Sequence, residues 1–223
     1  MTDDNAKGGL KGRWGYELAP DEIEGESFRL IADLADLEQL TPAEVALVKR
    51  VIHATGDPLF SELVMWSSDA VARGVEAIKG GATIFTDVEM VRAGVSKVRA
   101  ASFGCEVQCR LNDPEVVSEA REREMTRSAV AIERAVRQDP EAIFAFGNAP
   151  TALFRLLELM DEGVAKPKLI IGVVVGFVGA AESKDALMQR TDVNWISCKG
   201  NKGGSNVAAA SVNALFKGAA GEV

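Results

Sequence analysis

Histidine occurs once in 223 residues, at position 53, and cysteine three times, at 105, 109 and 198. Those shortages exclude a good deal. A zinc site needs about four ligands, so the CEVQC pair with one distant imidazole reads as thiols that are buried or half-buried, and no metal is expected. Three cysteines without framework spacing suit a reducing cytosol, so a cytoplasmic location is the expectation. Basic charge is short as well. With 25 Lys and Arg against 33 Asp and Glu, the net charge is −8 and the pI is about 4.9. Nucleic-acid phosphates demand a basic surface, which argues against nucleic acid as the main partner. The longest apolar run, LIIGVVVGFVGAA, is interrupted by three glycines and falls short of the roughly 20 residues of a membrane span. MTDDNAKGGLKG lacks the apolar stretch of a secretory signal, so neither export nor membrane association is expected.

What remains is an ordinary globular balance, 47% hydrophobic and 26% charged, of a length that suits one domain. Residues 1–15, rich in Gly, Lys and Asp, predict a flexible tail, leaving 16–223 as that domain. Helical spacing begins near Ile23 and runs through Phe28, Ile31 and Leu34. In TPAE, Thr41 is placed as an N-cap, Pro42 at the first helical position and Glu44 to close a capping box. That helix should end near Gly56, which sets His53 in its last turn. A helix over Asp69–Lys79, a strand in ATIFT, a short helix closed by Gly94 and a strand within FGCEVQCRL follow. Asp113-Pro114 predicts one long helix up to Asp139-Pro140.

From there strands and helices alternate: AIFAF, then APTALFRLLELMDEG; KLIIGVVV, then ESKDALMQR; NWIS, then SNVAAASVNALF. Apolar strands between amphipathic helices predict an α/β, three-layer αβα domain with a mainly parallel sheet. Ligands of such sheets gather at the carboxyl ends of the strands, where three glycine-bearing segments fall: GNAP, GFVGAAESK and KGNKGGS. Each precedes a helix whose first N–H groups suit an anion, though glycine serves plain turn geometry equally well. KGNKGGS fails the Walker pattern because both lysines precede the last glycines, and GVVVGFVG misses the dinucleotide spacing. No G-x-S-x-G elbow offers a serine nucleophile. His53 is then either a structural side chain or a proton donor. The partial negative charge of a helix C-terminus attracts a cation there, while Lys49 and Arg50 oppose it, and position alone leaves both readings open.

The segments ESFRLI, VIHATGD, TDVEMVRAGV, TRSA, GNAPTAL, GFVGAAESKDAL and KGNKGGS…AAA…NAL, in this order from about Tyr16 to Phe216, resemble the precorrin-8X methylmutase family. The resemblance implies an isomerase of cobalamin biosynthesis that moves a methyl group from carbon 11 to carbon 12 of a cyclic tetrapyrrole by a 1,5-sigmatropic shift. The product is hydrogenobyrinate, or cobyrinate where the substrate holds cobalt. It further implies a five-stranded parallel sheet between helices, a homodimer with sites near the subunit interface, and no protein-bound cofactor. By the same resemblance His53 is the catalytic acid that protonates a ring nitrogen. Ser27, Arg50, Ser96 and Arg127 match substrate-contacting positions, and Asn148 and Lys199 join them from the glycine loops. Val174 stands where the family usually has proline, and Asn201 where it is often basic, so a looser turn and a weaker carboxylate contact are expected. A non-catalytic corrinoid carrier and an unrelated phosphate-binding enzyme are the alternatives.

Overall fold

A computed structural model describes residues 20–222, with side chains from residue 22. The tail expected at 1–15 lies outside the described residues. The chain opens with α1 (Pro20–Leu34), α2 (Pro42–Thr55), the single turn α3 (Phe60–Leu63) and the strand β1 (Val64–Trp66). Next come α4 (Ala70–Lys79), β2 (Ile84–Thr86), α5 (Glu89–Gly94), α6 (Lys97–Ser102) and β3 (Val107–Gln108). The remainder is α7 (Pro114–Glu122), α8 (Arg127–Gln138), β4 (Ile143–Phe146), α9 (Pro150–Asp161), β5 (Leu169–Gly172), α10 (Ala180–Met188), β6 (Trp195–Cys198) and α11 (Ser205–Ala220).

One sheet runs in the order β1-β6-β5-β4-β2-β3. Five strands are parallel, and the sixth, β1, pairs antiparallel with β6 at one edge. The expected five-stranded sheet therefore gains an edge strand. Three residues, Val64 to Trp66, are too few to show an alternating pattern, so pairing with β6 alone makes them a strand. The central strands are buried on both sides. Ile84, Ile143, Ala145, Leu169, Ile171 and Ile196 face the layer that contains α2, α4, α5 and α11. Their neighbours in sequence, Phe85, Phe144, Phe146, Ile170 and Trp195, face α8, α9 and α10. Each fully buried side chain of this kind contributes about 1.5–3 kcal/mol, which makes the two inner surfaces the main source of stability.

Local sequence explains most helix ends. Thr41 and Glu44 form the expected capping box on α2, and Gly56 closes it in the left-handed conformation at φ 65°; such a cap contributes about 1 kcal/mol. One expectation is corrected. The long helix over 114–138 is two helices, broken at Arg123–Thr126. Glu124 turns left-handed there (φ 53°), and the Thr126 side chain accepts the Ala129 N–H to start α8 afresh. Gly94 ends α5 as expected, and a Cβ there would come within 2.7 Å of the Ala209 Cβ; close packing on α11 is what requires glycine. The buried stripe of α1 is also narrower than its spacing suggests, since Ile31 is buried and Phe28 half-buried, while Ile23 and Leu34 are exposed.

Candidate functional site

The helix α2 lies antiparallel to α11 along its whole length. Gly218 near the end of α11 approaches Ala43, and at the other end the Asn206 side-chain amide donates to the Ala54 carbonyl at 3.1 Å. That bond satisfies one of the carbonyls left open at a helix C-terminus. Because α11 begins just after β6, the pairing carries the last turn of α2, and His53 with it, to the carboxyl edge of the sheet. His53 is exposed, and neither ring nitrogen has a hydrogen-bond partner among the described residues. The Phe28 ring meets the imidazole edge-on, with centroids 5.4 Å apart, which sets its orientation while leaving its nitrogens open.

Phe28 is itself surrounded by positive charge. The Arg50 guanidinium lies 5.3 Å and the Lys217 ammonium 5.6 Å from its centroid. Both cations bond Glu24, at 2.7 and 3.1 Å. Burial works to raise the Glu24 pKa, but Lys217 and Arg50 outweigh it and hold the carboxyl below its ordinary value. Arg50 is thus spoken for by Glu24, although its Nε is buried without a partner.

The GNAP loop accepts an anion from within the chain itself. The N–H groups of Gly147, Asn148 and Ala149 donate to the Asp87 carboxylate at 3.1, 2.7 and 2.7 Å. Asp87 follows β2 and is completely buried. The chain passes from β2 to β3 on one side and to β4 on the other, so this is the crevice where the strand order reverses and where open α/β sheets place their ligands. Burial pushes the Asp87 carboxyl up, and the three donated N–H groups oppose it. Of the two readings left open for GNAP, an external ligand or an internal turn, these three N–H groups serve the internal one, because Asp87 takes them. The Asn148 side chain stays exposed.

The other two loops lean on each other. Gly176 N–H donates to the Asn201 carbonyl at 3.1 Å, and Gly204 N–H to the Val173 carbonyl at 2.8 Å. Gly203 has φ 149°, and a Cβ there would stand 2.2 Å from the Val173 oxygen; no other residue allows this approach. Val174, where the resemblance expects proline, is fully buried in the α9–α10 side of the core, so packing holds the turn. At the tip, Phe177 and Val178 are each 89% exposed. Lys199 is exposed, with its ammonium unpaired among the described residues, while Lys202 pairs with Asp57, four residues beyond His53.

Beneath this turn lies Lys184, fully buried although lysine is almost never so. Its amino group donates to the Lys202 carbonyl at 2.6 Å and approaches Cys198 Sγ at 3.5 Å. Burial pushes the Lys184 pKa down and the Cys198 pKa up; both shifts favour the uncharged forms. Lys184 and Asp87 went unnoticed in the sequence. For Lys184 a signal existed: it falls on the apolar stripe of α10 with Ala180 and Leu187.

Of the predicted residues, His53, Asn148, Arg127 and Lys199 present free side chains on the same edge. Arg127 opens α8, and the hydroxyls of Thr126 and Thr151, 2.9 Å apart, tie that helix start to the start of α9. Ser27 donates back to the Ile23 carbonyl at 2.8 Å. Ser96 caps α6 through the Arg99 N–H and donates its own N–H to Asn213 at 2.9 Å, partway along α11 and away from the rim. The three cysteines are free thiols, two buried and one half-buried. No helix among the described residues is long and apolar enough to cross a membrane.

Comparison with known proteins adds to this geometry. The family model for precorrin-8X methylmutase matches residues 22–218. A cobalt-precorrin-8 methylmutase of Salmonella typhimurium is 42% identical over 209 residues, covering 90% of this chain and 96% of the relative. A precorrin-8X methylmutase of a Sinorhizobium species is 42% identical over 192 residues, covering 86% and 91%. Among solved structures, the precorrin-8X methylmutase of Thermus thermophilus superimposes with a TM-score of 0.82 at 39% identity, over 90% of this chain and 98% of that one.

Proposed function

This chain belongs to the precorrin-8X methylmutase family, and from that premise we propose that His53 is the acid of the methyl shift. The enzyme is an isomerase of cobalamin biosynthesis acting on a tetrapyrrole. In the reaction read here, the methyl group leaves carbon 11 and bonds carbon 12 of the same macrocycle, so neither an external methyl donor nor an acceptor is required. The protein has to position the ring and place one proton. The single observation that carries this is the placement of the chain's only imidazole: exposed at the carboxyl edge, steadied by Phe28, with both ring nitrogens open.

Around it, Arg127 and Lys199 supply unpaired cations, and Asn148 an amide, for the acetate and propionate arms of the substrate. This explains how a chain of net charge −8 holds a polyanion: the donors are concentrated where the arms fall. Phe177 and Val178 offer an apolar surface for the macrocycle face. Arg50, bound to Glu24, positions His53 through Phe28 and reaches the substrate by exchanging that carboxylate for one of the substrate's. Ser27, next to Phe28, is the serine on this side whose hydroxyl can turn to a substrate carboxylate, whereas Ser96 stays a helix cap. The working unit is a homodimer in the cytoplasm, with the second copy covering the open side of this edge.

The relatives compared above are methylmutases by name, which leaves the carrier reading without support, and Asp87 occupies the crevice that the phosphate-binding reading needs. Anaerobic incubation of the purified protein with precorrin-8X and with its cobalt form, followed by absorption spectra, tests the function. His53→Ala is expected to lower turnover by at least about 10²-fold while still binding hydrogenobyrinate. Turnover close to wild type in that variant would overturn His53 as the acid.

A further inference from the structure

Every arginine among residues 22–222 has a carboxylate within ion-pair distance except two. The exceptions, Arg121 and Arg127, line the same cavity of about 330 Å³, whose other walls are Val117, Ala120, Glu124 and Met125. In so acidic a chain, two neighbouring guanidiniums without carboxylate partners form a distinct feature. Their helix positions differ. Arg121 lies in the last turn of α7, where a cation is favoured, whereas Arg127 is the first residue of α8, where the helix dipole opposes it and no side chain compensates.

The turn between them is held in place by specific bonds. Glu124, the one non-glycine residue with positive φ among the described residues, folds the chain back so that the Met125 N–H reaches the Ala120 carbonyl at 3.0 Å. The two guanidiniums therefore stand at the rim of a pocket whose floor includes buried Ala120 and half-buried Val117 and Met125. An occupant that matches both parts is a carboxylate on a short aliphatic stem. The pocket also lies on the edge that carries His53, because the bond between Thr126 and Thr151 places the start of α8 beside the start of α9.

Building on the methylmutase reading above, we propose that Arg121 joins Arg127 in a two-guanidinium clamp for one carboxylate arm of the tetrapyrrole, with the arm's methylenes on Val117, Ala120 and Met125. Glu124 places one negative charge in the same pocket against the two positive ones, so it weakens the clamp without abolishing it.

The test uses the full-length protein and whichever of precorrin-8X and its cobalt form the wild type converts faster. Arg121→Ala is expected to raise KM, and the Kd for hydrogenobyrinate measured by absorption titration, by about tenfold, with kcat within about twofold of wild type. Arg121→Lys should fall between the two, since it keeps the charge and loses the fork, and Glu124→Gln should lower KM. Because Arg121 is exposed, melting temperature should not change. Unchanged KM and Kd in Arg121→Ala, with wild-type turnover intact, would overturn the clamp alone. A change in solution mass with unchanged KM would also overturn it, by assigning the pair to a protein contact. If the wild type converts neither substrate, the methylmutase reading fails and the clamp with it.

Discussion

The β4–α9 and β6–α11 loops look alike in sequence, each a glycine-bearing turn between an apolar strand and a helix, yet the chain completes them in opposite ways. In the first, three backbone N–H groups converge on the buried carboxylate of Asp87. In the second, the buried amino group of Lys184 donates to the Lys202 carbonyl from below, and Lys199, just after β6 ends, is left outside. One loop is closed on a buried carboxyl group, the other anchored by a buried amine. A glycine-rich turn at the carboxyl edge therefore does not by itself define a ligand site; what the fold places beneath the turn decides whether its donors are free.

The largest expected effect comes from emptying the first loop. Asp87→Ala leaves three buried or half-buried N–H donors without their acceptor, at about 1–3 kcal/mol each. A loss of at least about 3 kcal/mol lowers Tm by roughly 6–12 °C in a chain of this size, which calorimetry would read. A Tm within two degrees of wild type would show that water or an external anion replaces the carboxylate, and the contrast between the loops would collapse. Loosening the second loop should act on function rather than stability. Lys184→Met, similar in volume and apolar, is expected to raise KM about threefold to tenfold by freeing the turn that carries Lys199, with Tm within about 3 °C of wild type. A fall in Tm without any change in KM would reduce Lys184 to packing.

The smallest effect concerns the exposed pair that ties the second loop to α2. Lys202 holds the Asp57 carboxyl below the ordinary aspartate value of 3.8. A depressed pKa in the folded state contributes stability above the unfolded value, and that contribution is lost as pH falls through the folded one. Asp57→Asn should therefore melt about a degree below wild type at pH 7, with the gap closing below about pH 4. A gap that does not narrow at all as the pH is lowered below 3.8 would mean that the aspartate does not act through its charge.

Much of the fold was legible in residue order. The capping box at Thr41 and Glu44, the glycine at 56 and the alternation after Asp139 depend on contacts within a few residues, and such contacts leave local patterns. The break at Arg123–Thr126 was hidden because Glu124 adopts a left-handed conformation that its side chain does not advertise. The strand Val64–Trp66 was hidden because it exists only through β6. In the site, the motif strings pointed to His53, Arg127, Asn148 and Lys199, all of which carry exposed polar groups on one edge. They gave no hint that Arg50 is held by Glu24, that Ser96 serves as a helix cap, or that Arg121 shares a pocket with Arg127.

By itself, the sequence determined the layered α/β class, the helix that ends at His53 and the family to which the chain belongs, because periodicity, caps and long motif strings are properties of neighbours along the chain. Only the tertiary structure decided which donors remain free. Asp87 lies 60 residues from Gly147, and Arg50 lies 26 from Glu24; no local pattern encodes such pairings. They arise when burying the two faces of the sheet brings distant polar groups together and each must find a partner.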